Sequence, residues 1–125
     1  MPENKREKGV SVWAVRFTES AEMDIAAILE YIVERDGIEQ ARALLQLFRQ
    51  GRASLAALPS RGHFPPALAK LHISVFREIH VSVYRMVYQA DESEQCVYIH
   101  VVLDARRHVD RLLRERLLRE DTPPE

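Results

Sequence analysis

The side chains with chemical potential in this chain are arginines and histidines, and the arginines are unevenly placed. Between residues 40 and 88 seven basic side chains (Arg42, Arg49, Arg52, Arg61, Lys70, Arg77 and Arg85) stand against Glu78 alone, a local balance of +6. Arg106 and Arg107 close a later motif, LDARR. Between residues 19 and 39 the sign reverses, with seven acidic residues (Glu19, Glu22, Asp24, Glu30, Glu34, Asp36 and Glu39) against Arg35, a balance of −6. The blocks cancel, so a net charge of −1 conceals strong local fields. They are either two solvated helix faces of opposite sign or a basic surface prepared for an acidic partner, whether nucleic acid or an acidic protein segment.

The other reactive residue types offer less. His63, His72, His80, His100 and His108 show none of the close spacings of a metal site such as HxxxH, and there is one cysteine, so no metal and no cofactor is expected. Cys96 lies among β-branched and aromatic residues and reads as a buried reduced thiol. A Gly-rich phosphate loop and a serine nucleophile elbow are both missing from the sequence, which leaves nucleotide hydrolysis and serine-hydrolase chemistry without support.

The elements that must position the arginines follow from periodicity. Residues 83–89 and 96–103 are rich in Val, Ile and Tyr, and a short charged turn (Asp91, Glu92, Ser93, Glu94) joins them, so they read as an antiparallel hairpin. In the second segment Val97, Ile99, Val101 and Leu103 alternate with Tyr98, His100 and Val102, which predicts one core face and one face at least partly open. Tyr84, Met86 and Tyr88 share a face, and Arg85 lies on the opposite one, where a lone cation is expected to reach the open side or its rim.

Upstream, residues 10–17 read as a strand and Thr18 as a helix N-cap. Ala21, Ile25, Ile28, Leu29 and Ile32 form a helical stripe that ends at Gly37. A second helix over 38–58 carries Ala41, Leu44, Leu45, Phe48 and Leu55, and the short link between the two dictates an antiparallel helical hairpin. Residues 59–71, with Gly62, Pro65 and Pro66, read as irregular, and 72–80 as a strand completing a three-stranded meander. Val109, Leu112, Leu113 and Leu117 mark an amphipathic C-terminal helix over 107–120.

The order β-α-α-β-β-β-α defines an α+β domain, an N-terminal strand and a mostly antiparallel sheet with the helical hairpin packed on one face. One domain over residues 10–120 is expected, with a flexible leader at 1–9 and a flexible tail at 121–125. With 46% hydrophobic and 30% charged residues in 125, the chain can bury a sizeable core without a disulfide or metal. No apolar run approaches a membrane span and the start carries no apolar signal stretch, so a cytoplasmic protein without membrane contact is expected.

The order of elements, with FTESAEMDIAAILEYI at the first helix, LPSRG after the second, FRE opening the later strands, YRMVY, and LDARR closing the last strand, resembles the RelE/ParE superfamily of bacterial toxins from about residue 12 to 107. The resemblance implies a toxin of a type II toxin–antitoxin system, encoded beside an antitoxin that wraps and neutralises it in a hetero-oligomer. RelE-like members are ribosome-dependent mRNA endoribonucleases, and cutting RNA requires cations aimed at the phosphate and a proton acceptor. ParE-like members poison DNA gyrase by binding.

Carried over residue by residue, the ribonuclease pattern places Arg85 and Arg106 on its arginines and Arg77 on the first of two lysines. The second lysine falls on Ile79 or His80. The C-terminal tyrosine has no counterpart, and His108 is the titratable residue available there. The long helical hairpin, LPSRG and LDARR are closer to ParE, which implies a gyrase-binding toxin without catalysis of its own. Arg77, Arg85, Arg106 and Arg107 are then the target-binding surface. The alternatives are the endoribonuclease, acting on ribosome and mRNA through Arg77, Arg85, Arg106 and His108, and a degenerate, non-toxic antitoxin-binding partner or co-repressor. Structural roles stand beside these: Arg77 could pair across strands beside Glu78, and Arg106 with Asp104 or Asp110. For the antitoxin, the apolar groove beside the helical hairpin (Ile28, Ile32, Leu45, Phe48), a free sheet edge and the acidic outer face at Glu30 and Glu34 are the expected contacts.

Overall fold

The structure, a computed structural model, describes residues 12–107 and 110–118. The expected flexible leader and tail, the first residues of the expected N-terminal strand and His108 lie outside them. The elements run β1 (Ala14–Phe17), α1 (Glu19–Asp36), α2 (Ile38–Ala57), α3 (Pro66–Ala69), β2 (Phe76–Val81), β3 (Tyr84–Asp91), β4 (Cys96–Asp104) and α4 (Asp110–Leu117). The class is α+β, as the pattern of stripes and alternation predicts.

Local chemistry sets the helix boundaries. The Thr18 hydroxyl accepts the Ala21 N–H at 3.2 Å and caps α1, whose first turn carries Glu19 and Glu22. Gly37 ends it with φ of 99°, a conformation that favours glycine, and donates its N–H to Ile32 and Val33 carbonyls. With Gly37 alone between them, α1 and α2 fold back as the expected hairpin. A short helix, α3, interrupts the connection read as irregular, and Pro66 starts it with its φ already helical. Strand β2 begins at Phe76 rather than 72, because His72 takes a φ of 60° in the turn before it.

The sheet order is β1-β4-β3-β2, with β1 parallel to β4 and the other neighbours antiparallel. The turn between β3 and β4 is held by Asp91, whose Oδ1 accepts from the Ser93 hydroxyl and the Glu94 N–H. One core lies between the sheet and the helical hairpin, where Ala21, Ile32, Leu44, Phe48 and Leu55 meet Ile79, Tyr84, Met86, Tyr88, Val97 and Ile99. Phe48 packs edge-on to Tyr84 with ring centroids 5.6 Å apart. Truncating a phenylalanine so buried costs roughly 3–5 kcal/mol.

Strand β4 departs from simple alternation. Tyr88 stands opposite Ile99 but Val87 opposite Val101, so His100 is an extra residue, a β-bulge. The bulge inverts the phase: Val97, Ile99 and Val102 belong to the hairpin-side core, whereas Val101 and Leu103 belong to a second one. This corrects the expected single face of Val97, Ile99, Val101 and Leu103. That second core, with Leu68, Phe76, Val87, Leu113 and Leu117, covers part of the sheet face that alternation left open. Helices α3 and α4 supply its lid.

The bulge also leaves backbone groups to be satisfied. Strand β1 stops at Phe17, opposite Ile99, so among the described residues β4 has no strand on that side from His100 onward. Asp24 of α1 accepts the Val102 N–H at 3.0 Å, and Arg116 of α4 donates to the His100 carbonyl at 2.9 Å. Arg116 also grips Asp24 through two contacts of 3.2 and 3.1 Å. One acid and one base thus tie α1, β4 and α4 together. Among the described residues no helix is long and apolar enough to cross a membrane.

Candidate functional site

The expected site arginines are dispersed rather than convergent. Arg77 and Arg85 sit on adjacent strands, but Arg77 pairs in register with Tyr88 and Arg85 with His80, so they project from opposite faces. Arg77 holds the connection before β2: it donates to the Gly62 carbonyl at 2.8 Å and stacks 4.4 Å over the Phe64 ring. The same loop is pinned by Tyr88, whose hydroxyl donates to the Pro59 carbonyl at 2.6 Å and accepts the Gly62 N–H at 3.0 Å. Burial pushes the Tyr88 phenol above its ordinary pKa.

Arg85 does not reach an open rim. Its guanidinium donates to Glu78 Oε1 at 2.6 Å, and the two side chains are only 11% and 2% exposed. The partner of Glu78 is therefore Arg85 from the next strand, not its sequence neighbour Arg77. The second carboxylate oxygen, Oε2, lies 2.9 Å from His63 Nε2. His63 and Glu78 are also joined as a backbone bridge, each donating its N–H to the other's carbonyl at 3.0 and 2.7 Å. His80 stands two residues along the same face of β2, its ring edge-to-face with His63 at 5.7 Å. This His63, Glu78, His80 and Arg85 cluster is invisible in linear spacing; the only hint is the i, i+2 pair of Glu78 and His80 on a strand.

Arg106 and Arg107 lie at a groove beside α1. This groove of about 630 Å³ opens between α1, the end of β4 and α4, lined among others by Ile28, Ile32, Arg35, Arg106, Arg107 and Arg116. Arg106 is 65% exposed yet engaged by Asp104 through contacts of 2.9 and 2.7 Å. That guanidinium holds the Asp104 carboxyl down to about 2. Arg107 is exposed and makes no ion pair among the described residues. Of the apolar residues expected to meet an antitoxin, Ile28 and Ile32 line this groove, Leu45 is half-buried on α2, and Phe48 is sealed in the core at 1% exposure.

A third region flanks the sheet edge. Strand β1 has no neighbour on its outer side among the described residues. Beside it a groove of about 590 Å³ is lined by Trp13, Ala53, Ala56 and three arginines, Arg16, Arg49 and Arg52. Unpaired strand backbone, an apolar floor and three cations suit an extended acidic peptide.

The fold is shared with chains of solved structures. The chain superposes on a chain of the chromosomal ParDE toxin–antitoxin system from P. aeruginosa with a TM-score of 0.62 at 15% identity, covering 76% of this chain and 98% of that one. It superposes on a chain of the toxin–antitoxin complex RelBE2 from Mycobacterium tuberculosis with a TM-score of 0.53 at 21% identity, covering 76% and 94%. No curated protein sequence matches the chain. Residues 15–109 match the family of the ParE toxin of the type II toxin–antitoxin system, parDE, and the chain belongs to that family.

Proposed function

We propose that this ParE-type toxin acts by binding DNA gyrase and holding it on broken DNA, without catalysis of its own, and is neutralised by a cognate antitoxin seated in the groove beside α1. The observation that carries the reading is the dispersal of the arginines. Phosphodiester cleavage needs cations converging on one phosphate, whereas Arg77 braces a loop, Arg85 is consumed by buried Glu78, and Arg106 and Arg107 stand at the far end of β4. Exposed arginines on a rim serve recognition by charge complementarity. The groove mixes Ile28 and Ile32 with Arg106 and Arg107, so an antitoxin segment filling it would cover the same arginines that meet the target.

A second reading, the ribosome-dependent mRNA endoribonuclease, draws on two observations. The fold also matches a chain of the RelBE2 complex, and His63 presents an exposed imidazole oriented by a buried carboxylate. The test is a gyrase supercoiling and cleavage-complex assay with antitoxin-free protein, beside a ribosome-programmed mRNA cleavage reaction on the same preparation. Lost supercoiling, accumulated broken DNA and intact mRNA are expected, with Arg106→Glu combined with Arg107→Glu relieving inhibition while circular dichroism shows the variant folded. Cleaved mRNA with gyrase untouched would overturn the proposal.

A further inference from the structure

We infer that His63, Glu78 and His80 form a divalent transition-metal site, a zinc-class centre with two imidazoles and one carboxylate that clips the connection before β2 onto the sheet. The ligand atoms of the three residues already lie within 4.8 Å of one another. A tetrahedral ion with bonds of about 2.0–2.1 Å sets its ligand atoms about 3.3 Å apart. The 2.9 Å between His63 Nε2 and Glu78 Oε2 is therefore close to ligand spacing, and replacing the proton between them by a metal requires only a slight opening. His80 is exposed, so its ring can turn to complete the set.

The backbone holds this arrangement in place. Reciprocal N–H to carbonyl bonds fix His63 directly opposite Glu78, and strand geometry fixes Glu78 and His80 on one face. Gly62 lets the loop approach this closely: a Cβ there would lie 2.7 Å from the Glu78 carbonyl oxygen and from the Tyr88 hydroxyl. Arg85 engages Oε1 and leaves Oε2 to His63, the place of an outer partner that orients a ligating carboxylate. Its positive charge opposes a second cation, which makes the site weaker than a structural zinc centre of four anionic ligands. Two imidazole ligands favour zinc, cobalt or nickel over magnesium or calcium. The side of the cluster formed by His63 and His80 faces water, so a fourth position stays open to solvent.

The test uses the untagged full chain. Equilibrium dialysis with zinc and a Co²⁺ absorption titration are expected to show one ion per chain with the visible bands of a low-coordinate cobalt centre. Affinity falls at least about tenfold in both His63→Ala and His80→Ala and is unchanged in His72→Ala, an exposed histidine outside the cluster. Circular dichroism of the apo variants confirms that each is folded. His80, whose side chain is exposed, gives a variant that keeps the fold even if His63→Ala loosens the loop. Absence of binding, affinity unchanged in the two cluster variants, or a loss confined to one of them would overturn the three-ligand site.

Discussion

Arg85→Ala isolates the role of the buried pair. The variant leaves the Glu78 carboxylate, 2% exposed, without the guanidinium that donates to it at 2.6 Å. Breaking a buried pair by removing one partner costs about 3–5 kcal/mol, because the remaining charge stays desolvated. His63 still lies 2.9 Å from the other carboxylate oxygen, which places the loss at the lower end, about 3 kcal/mol. For a chain of this size that is a fall in melting temperature of about 10–15 °C. Urea denaturation near neutral pH measures the free energy, and a thermal scan the midpoint. The double variant Glu78→Leu with Arg85→Met, which removes both charges, is expected to recover most of the loss. A loss under about 1 kcal/mol in Arg85→Ala, or a double variant no more stable than the single one, would refute the buried-pair reading. Arg85 would then be available to a target. If the loss is as large as expected, reduced toxicity of Arg85→Ala reports unfolding and is no evidence for target contact.

Three further outcomes follow from the same geometry. His100 is 8% exposed, and burial, aided by the Arg116 charge, lowers its pKa to about 4 against an ordinary 6.5. The unfolded chain therefore binds the proton first: stability is intact above pH 6.5 and lost as pH falls towards 4, by about 3 kcal/mol in all, and His100→Gln flattens that part of a denaturation-versus-pH profile. Gly62→Ala forces a methyl against the Glu78 carbonyl and Tyr88 hydroxyl at 2.7 Å, and urea denaturation is expected to show a loss of about 1–3 kcal/mol. Asp24→Ala strands the Val102 N–H and Arg116, with an expected cost of about 2–3 kcal/mol and faster hydrogen exchange at Val102.

Local signals in the chain were enough to reveal most of the fold. Thr18 and Gly37 bound the first helix, its stripe from Ala21 to Ile32 faces the sheet, and Tyr84, Met86 and Tyr88 share the hairpin-side core. The parts that stayed hidden are those that depend on one strand slipping against another. The bulge at His100 adds a residue to β4 without any glycine or proline to mark it, so Val101 and Leu103 looked like partners of Val97 and Ile99. Arg85 looked like a rim cation because its acceptor, Glu78, is set by β2–β3 register. His63 is fifteen residues from Glu78 across a proline-bearing connection, and linear histidine spacing is blind to a bridge of that kind.

The bulge that defeats alternation is also what shapes the candidate target surface. Because β1 ends opposite Ile99 and β4 then changes phase, the last residues of β4 lie beside α1 with no strand between them among the described residues. Asp24 and Arg116 satisfy the backbone exposed there, and Arg116 thereby fixes α4 as the far wall of the groove. A β4 paired along its whole length would fill that space with backbone. What remains is a concave surface with an apolar flank from α1 and a charged end at Arg106 and Arg107, held by side-chain clamps rather than by sheet pairing. In the proposed reading such a surface takes an antitoxin segment or a target, but not both. Neutralisation of this toxin is, in that reading, therefore competition for one groove, with no change of fold needed.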